Sequence, residues 1–359
     1  MTRRWARLTF AGPTPSQRLV RLRLLILTAA LTSALAAPAA AAGAFQSYPW
    51  PLRPFHKEHP VRANFGDPRT VFAAPLFEGG IEGPGAFSFH NGIDIAAPDG
   101  TAVYPVMSGT AKLINNDEAV SVSTGRGRIF DYEHIVPAIH DGQDVVAMKT
   151  VIGHIAKSYG HVHLTEIRGG HVWNPLAPGG IAPYRDTLKP RVASIQFRPP
   201  PSPFTELDPL GICGVVSIVA DAFDTPQQRV PGAFAGFPVT PSFVTWSLRK
   251  FGGAVYRNAT AVADFRTTLP PVDSFWDVYA RGTYQNAPRF ANRQFNLMPG
   301  RFIFQLAPSL DTRTLPNGVY IVSARAADIR GNAATLSQRF TVANNPHTET
   351  GCNGRTSHG

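Results

Sequence analysis

The sequence has 359 residues, with 34 lysine and arginine residues against 24 acidic ones, a formal net charge of +10 at pH 7. Six of the basic residues precede residue 24 without any acidic residue, so 28 basic and 24 acidic residues remain beyond that stretch, a net charge of +4. This balance is too mild to indicate nucleic-acid binding, and no basic block interleaved with aromatic residues occurs. The two cysteines, Cys213 and Cys352, are too few for a cysteine-rich structural zinc site.

Residues 1–42 have the pattern of a secretory signal peptide. An arginine-rich stretch is followed by an apolar run from Leu24 to about Ala37 and by the small residues 38–43. The apolar run is too short to cross a bilayer as a helix, and the alanine-rich stretch offers an Ala-x-Ala cleavage site. We therefore expect cleavage after Ala42, export to the periplasm or the extracellular space, and no transmembrane segment in the remaining chain.

The chain beyond the leader has the pattern of two β domains. Short alternating apolar runs are separated by turns at residues 98–100, 124–127 and 141–142, which is typical of antiparallel strands. The sequence predicts an all-β fold. Its parts are an antiparallel β-sheet domain over 43–176, a Pro/Gly-rich linker over 177–190, an immunoglobulin-like β-sandwich with an insertion over 191–345, and a flexible tail over 346–359.

Two segments of the predicted sandwich, 214–224 and 318–328, echo each other in Gly, Val, two Ala and a final Asp. Two copies do not make a solenoid, so we expect paired strands of one sandwich. Cys213 and Cys352 could form a disulfide in an oxidising compartment. The Gly/Asn-rich tail around Cys352 is equally compatible with two unpaired thiols.

Side chains that zinc prefers occur at two places in the first domain. His90 and Asp94 are four residues apart, and His161 and His163 form a His-x-His downstream. Three protein ligands with an open fourth position are typical of catalytic zinc sites, whereas structural sites are closed by four. The conjunction of both motifs in one exported β domain predicts a hydrolytic zinc site, although each motif alone also fits an ordinary polar surface.

Strand periodicity places further side chains near these motifs. Side chains at i and i+2 point to the same face of a strand. His161, His163 and Thr165 are therefore expected on one face, with Val162 and Leu164 in the core. By the same rule, Phe130, Tyr132 and His134 are expected to share a face, from which His134 reaches the His-x-His.

The segment 90–109 closely resembles the first signature of the lysostaphin-type (LytM-like) zinc endopeptidases, which read His-x-Gly-x-Asp, a Pro-x-Gly-Thr turn and a strand ending in Gly. Residues 132–135 resemble the Tyr-x-His-Leu element of that family, and 160–164 its Gly-x-His-x-His element. Residues 64–69 resemble its Phe-Gly-x-Arg element, and 174–176 its Asn-Pro end. The resemblance covers about residues 61–176.

The resemblance implies that His90, Asp94 and His163 bind one zinc ion per chain. It also implies that His134 and His161 are catalytic, one as the proton acceptor and the other as the oxyanion donor in an order that the sequence leaves open. Residues 148–150 and 155–160 depart from the family pattern, which leaves the choice of peptide bond open.

The resemblance implies a metalloendopeptidase that cleaves peptide bridges of bacterial peptidoglycan. The alternative is a non-catalytic relative that binds wall peptides or activates another hydrolase. Such relatives typically lose zinc ligands, and this chain retains every ligand and both histidines, which favours the enzyme. The role of the second domain and the oligomeric state stay open.

Overall fold

The computed structural model describes residues 46–72, 85–116, 118–125, 127–200, 204–286 and 298–344. These residues contain twenty strands and one short α-helix. The strands are β1 (Val61–Ala63), β2 (Pro68–Phe72), β3 (Gly85–Phe89), β4 (Ile93–Ala96), β5 (Ala102–Val103), β6 (Gly109–Ile114), β7 (Ala119–Ser123), β8 (Arg128–Glu133), β9 (Ile135–Pro137), β10 (Asp144–Val145), β11 (Gly153–Ile155), β12 (His161–Arg168), β13 (His171–Trp173), β14 (Arg191–Arg198), β15 (Val215–Phe223), β16 (Phe243–Lys250), β17 (Val255–Asp264), β18 (Ile303–Asp311), β19 (Gly318–Ala327) and β20 (Ala333–Val342), and the helix is α1 (Phe275–Val278).

The strands pair in antiparallel sheets, which confirms the predicted all-β fold. The predicted signal peptide over 1–42 and the predicted tail over 346–359 lie outside the described residues. Within the ranges given above, no helix has the length and apolar character of a membrane span.

β12 lies inside an eight-stranded sheet with the order β1-β4-β12-β8-β7-β6-β10, and β13 also pairs with β12. Burial alternates along β8, where Phe130 and Tyr132 are inaccessible to solvent. Val162 and Leu164 of β12 are equally buried, as expected from their alternation with the two histidines. The strand order places β4 and β8 on the two sides of β12, so residues from three strands meet around its first half.

Two further sheets form the second half of the chain. One has the order β14-β15-β18 and the other β17-β16-β19-β20. Apolar side chains fill the space between them; the rings of Phe197 on β14 and Phe340 on β20, for example, lie 4.8 Å apart. The strand number fits an immunoglobulin-like sandwich, and that assignment and the domain boundaries stay predictions.

The two echoing segments form β15 and β19, which belong to different sheets. The expectation that they pair is wrong: β15 pairs with β14 and β18, and β19 pairs with β16 and β20. Cys213, just before β15, is buried and disulfide-bonded, whereas Cys352, its predicted partner, lies outside the described residues.

The predicted linker, residues 177–190, packs against the residues that precede β1. Ile181 is buried, and the indole nitrogen of Trp50 donates a hydrogen bond of 2.7 Å to the carbonyl oxygen of Pro183. Just before the linker, the backbone and side-chain nitrogens of Asn174 donate bonds of 2.7 Å to the carbonyl oxygens of Thr267 and Phe265. The two halves of the chain are therefore joined by hydrogen bonds as well as by the covalent connection.

Candidate metal centre

The three predicted zinc ligands come together where β4 lies beside β12. Asp94 on β4 is directly opposite His163 on β12, and His90 lies three residues before the start of β4. A Cβ atom at Gly92 would lie 2.3 Å from the carbonyl oxygen of Leu164 and 2.8 Å from the His163 ring. The glycine between the two ligands is therefore required by the close approach of this segment to β12.

The ligand atoms form a nearly equilateral triangle. His90 Nε2 lies 2.8 Å from His163 Nδ1 and 3.1 Å from Asp94 Oδ1, and His163 Nδ1 lies 3.0 Å from Asp94 Oδ1. Zinc ligands at roughly 2.1 Å in a tetrahedral arrangement are about 3.4 Å apart, so the triangle is within about half an ångström of the required size. All three side chains are buried. Two imidazoles and one carboxylate in this arrangement fit zinc with a fourth position open.

Hydrogen bonds orient both imidazoles. His90 Nδ1 lies 2.9 Å from the carbonyl oxygen of Asn64, which can only accept, so Nδ1 carries the proton. Burial is the main cause that lowers the pKa of His90 to about 3, so its Nε2 presents a lone pair at neutral pH. His163 Nε2 bonds Thr165 Oγ1 at 2.8 Å, which leaves Nδ1 facing the other ligands. Such bonds to the outer nitrogen are typical of histidines that bind metals.

The two oxygens of Asp94 have different partners. Oδ1 faces the imidazoles, whereas Oδ2 accepts hydrogen bonds from Nη2 of Arg69 at 3.0 Å and Nη2 of Arg62 at 3.5 Å. Burial alone raises the pKa of this carboxyl, but His90, His161 and Arg69 outweigh it and hold the pKa well below its usual range. Asp94 is therefore ionised at neutral pH.

His161 lies at the edge of the triangle. Its Nδ1 donates a 2.7 Å bond to the carbonyl oxygen of Tyr159, and its Nε2 is 3.6 Å from Asp94 Oδ1. Nη2 of Arg62, a donor, lies 3.3 Å from the same Nε2, which is therefore an acceptor. Burial lowers the pKa of His161, and Arg62 lowers it further against the opposing charge of Asp94. The side chain is thus a neutral imidazole with its lone pair beside the candidate metal site.

His134 reaches this site by a route that the sequence did not predict. It was expected to share a face with Phe130 and Tyr132, and that expectation is wrong: both aromatic residues are in the core, whereas His134 follows the end of β8 with a φ of 63°. This left-handed turn interrupts the alternation of the strand and directs the imidazole to the other face. There it stacks on Tyr159 at 4.4 Å, and its ring centroid is 4.7 Å from that of His161. Burial, followed by His161, lowers the pKa of His134 to about 4.

The structure therefore brings all five predicted residues together, and it adds two arginines to which the sequence gave no role. Arg62 lies on β1 between the buried residues Val61 and Ala63, so the alternation of that strand directs it away from the core. Arg69 belongs to the family-like segment 64–69. Only the pairing of β1 with β4 shows that Arg62 lies near Asp94.

A pocket of about 430 Å³ opens beside His134. Its lining includes Glu118, Glu133, Val136 and Tyr159, and Glu133 pairs directly with His163 across the two strands. The pocket adjoins the site at His134, and it is large enough for part of a peptide.

A second group of carboxylates lies in the other half of the chain. Asp224 and Asp328, the final residues of the two echoing segments, and Asp186 of the predicted linker are buried with carboxylate oxygens within 4.8 Å of one another. Burial, followed by the charge of Asp186, raises the pKa of Asp224 to about 8. Burial, followed by the charge of Asp328, raises the pKa of Asp186 to about 6.

No family model and no curated protein matches this chain. Among solved structures, the SpoIIQ–SpoIIIAH pore-forming complex contains a similar chain, with 20% identity over 37% of this chain and 90% of that one and a TM-score of 0.29. The M23 metalloprotease pseudoalterin is 16% identical over 41% of this chain and 83% of its own, with a TM-score of 0.26. LytU is 20% identical over 34% and 84%, with a TM-score of 0.24. At these TM-scores the likenesses carry no argument about this chain.

Proposed function

We propose that the protein is an exported zinc endopeptidase that hydrolyses peptide bridges of bacterial peptidoglycan. The observation that carries the proposal is the buried triangle of His90 Nε2, Asp94 Oδ1 and His163 Nδ1, with His134 and His161 at its edge. The three residues would hold one zinc ion. When bound, zinc supplies a Lewis acid that polarises a carbonyl group and makes water more acidic.

His161 and His134 supply the groups that move or hold protons. The lone pair of His161 Nε2 faces the site, because Nδ1 is engaged by Tyr159, so His161 can accept a proton from water. Stacking on Tyr159 holds the His134 ring beside His161. In this position an N–H group of the neutral His134 ring can donate a hydrogen bond to an oxyanion. A general base contributes roughly 10²–10⁴-fold to rate. Both lowered pKa values keep the two imidazoles neutral before substrate binds.

The proposed substrate class, peptide bridges, and the proposed export are supported by the sequence and not by the geometry of the site. The resemblance of residues 61–176 to lysostaphin-type enzymes supports peptide bridges as substrates, and the leader-like pattern of residues 1–42 supports export. The pocket beside His134 supports a peptide that runs past this histidine, with Glu118 and Glu133 along the pocket wall.

A second candidate, a non-catalytic wall-peptide binder, is favoured by one observation. Nη2 of Arg62 lies 3.3 Å from His161 Nε2, so the lone pair that a proton acceptor needs already has a donor. In an active enzyme, a water molecule must replace Nη2 of Arg62 as the hydrogen-bond donor to His161 Nε2 when substrate binds. In a binder, the contact persists.

Digestion of purified peptidoglycan tests the proposal. The chain without residues 1–42 is incubated with the wall, with and without a chelator, and the soluble fragments are analysed by mass. We expect cut peptide bridges that disappear with the chelator and return with added zinc. The double variant His134→Ala/His161→Ala is the control for contaminating hydrolases. Binding to the wall without any zinc-dependent cleavage would instead support the non-catalytic candidate.

A further inference from the structure

The second half of the chain contacts the residues that surround the candidate metal centre. The outer oxygen of Asp94 is held by Arg62 and Arg69. Each of these arginines in turn has a partner beyond residue 230. A carboxylate with one oxygen directed at a metal depends on the groups that hold its other oxygen, because they fix its orientation.

Phe234 covers Arg62. The phenyl ring lies on a 3₁₀ turn, Gly232–Phe234, between β15 and β16, and the guanidinium carbon is 4.0 Å from its centroid. The Arg62 side chain is only 13% exposed, and burial is the main cause that lowers its pKa. A cation over an aromatic face is held electrostatically, more strongly where water is excluded. Phe234 therefore restricts the guanidinium to the side on which Asp94 and His161 lie.

Gln285 holds Arg69 in a comparable way. Its side-chain oxygen accepts a hydrogen bond from Nη1 of Arg69, while its amide nitrogen donates a 3.2 Å bond to Asp67 Oδ2. The other oxygen of Asp67 accepts a 2.7 Å bond from the backbone nitrogen of Thr240. Arg69 thus bridges the metal-ligand carboxylate and a side chain of the second half.

The segment 64–67, which is hydrogen-bonded to His90, is also held by the second half of the chain. His90 bonds this segment three times: Gly66 N donates to His90 O at 2.9 Å, His90 N donates to Asp67 O at 2.8 Å, and His90 Nδ1 donates to Asn64 O at 2.9 Å.

Residues of the second half bind this segment from its other side. Asn64 Nδ2 donates to the carbonyl oxygen of Thr240 at 3.1 Å, and the Tyr279 hydroxyl donates to that of Gly66 at 2.8 Å. A Cβ atom at Gly66 would lie 2.4 Å from the ring of Phe265, so the two surfaces are in direct contact.

We infer that the second half of the chain is part of the metal centre, and that Phe234 and Gln285 are positioning residues which set the affinity for zinc by holding Arg62 and Arg69 on Asp94. The inference rests on the proposed function, because it takes zinc as the ligand of the triangle. It predicts that residues at least 71 positions from any ligand in the sequence control how long the metal stays bound.

Zinc release into an excess of a chromogenic chelator is the test, made on the full chain without the leader. Phe234→Leu and Gln285→Leu should each release zinc faster, by up to about 10- to 100-fold, which is the range for losing the direct partner of a metal ligand. Phe251→Leu and Gln305→Leu are matched controls, because Phe251 stacks on Arg339 at 4.3 Å and Gln305 bonds Ser217 at 2.8 Å within the sandwich. The controls should release zinc at the wild-type rate.

A double-mutant cycle separates positioning from a loss of stability. Phe234→Leu should have little further effect in an Arg62→Leu background, because its action passes through Arg62. The conservative change Phe234→Tyr retains the ring and should restore slow release. The melting temperature of the metal-free variants reports any general loss of stability.

Three results have distinct meanings. If the wild type binds zinc and both variants release it at the wild-type rate, the inference is wrong while the proposed function stands. If the Phe234→Leu effect is equally large with and without Arg62, Phe234 does not act by positioning that arginine, which also overturns the inference. If the wild type binds no zinc, both the proposed function and the inference are wrong.

Discussion

Asp94 and His163 face each other across two antiparallel strands, with Oδ1 of the carboxylate 3.0 Å from Nδ1 of the imidazole. The pairing register of β4 and β12 sets this distance, because directly opposite residues of antiparallel strands place their side chains on the same face. A shift of one residue in register would send one of the two ligands to the opposite face. Strand pairing therefore sets the relative positions of Asp94 and His163, two of the three candidate ligands.

The first prediction concerns metal content. Protein purified with zinc should carry about one ion per chain, and His90→Ala or Asp94→Ala should abolish retention because each change removes one of three protein ligands. His154→Ala, at an exposed position of β11, is the matched control and should retain the metal. Atomic absorption on gel-filtered protein measures the ratio. Zinc at the wild-type ratio in both ligand variants would show that the triangle is not the binding site.

The second prediction separates ligand from catalyst within the His-x-His. His163→Ala should lose zinc, whereas His161→Ala and His134→Ala should retain it and lose roughly 10²–10⁴-fold in turnover of a wall peptide. The reason is geometric: His163 Nδ1 is a corner of the triangle, while His161 Nε2 lies outside it, 3.6 Å from the Asp94 corner. Metal content and turnover are measured on the same preparations. Loss of zinc from His161→Ala with retention in His163→Ala would reverse the assignment.

Local alternation predicted β12, whereas the five site residues were predicted from the conjunction of short motifs and from the family resemblance, and their roles stay predictions. Alternation identified β12, with Val162 and Leu164 in the core and the histidines on the other face. The same rule failed at His134, since a single residue with positive φ ends the alternation, and no local pattern of Tyr-Glu-His-Ile marks that turn. Periodicity describes a strand only as long as the backbone remains extended.

Contacts between distant parts of the chain were beyond the reach of spacing arguments. Phe234 lies over Arg62 although 171 residues separate them, and Gln285 holds Arg69 through the packing of the two halves. Neither Phe234 nor Gln285 belongs to a motif, and a phenylalanine in a Gly/Pro-rich loop has no distinctive pattern of its own. Three-dimensional packing alone gives these two residues a role.

The third prediction concerns Gly92. Gly92→Ala places a Cβ atom against the Leu164 carbonyl oxygen and the His163 ring, so β4 must move away from β12. Overpacking of this kind typically costs about 1–3 kcal/mol, and here it also spreads the ligand triangle. We expect a lower melting temperature and weaker zinc binding. Gly211→Ala is the control, because nothing lies within 4 Å of a Cβ at that position. Wild-type zinc affinity in Gly92→Ala would show that the close approach is not needed.

The fourth prediction concerns the buried aspartates of the second half of the chain. Burial, followed by Asp186, raises the pKa of Asp224 to about 8 in the folded protein, against roughly 3.9 for an exposed aspartate. The folded state therefore binds this proton more tightly than the unfolded state. The resulting stabilisation is fully present below about pH 4 and is lost as the pH rises towards 8, with a slope of up to about 1.4 kcal/mol per pH unit.

Asp224→Asn removes the titration while keeping the size of the side chain. The free energy of unfolding of the wild type should fall relative to the variant as the pH rises from 5 to 8. Urea unfolding at several pH values measures the difference, in the presence of a chelator so that no divalent cation bridges Asp186, Asp224 and Asp328. Asp208→Asn, which removes the charge from a carboxylate that caps a 3₁₀ turn, controls for a general effect of net charge. Parallel pH profiles for wild type and Asp224→Asn would show that Asp224 titrates as an ordinary carboxyl. A difference that grows in the opposite direction would mean that its charged form is stabilised by the fold.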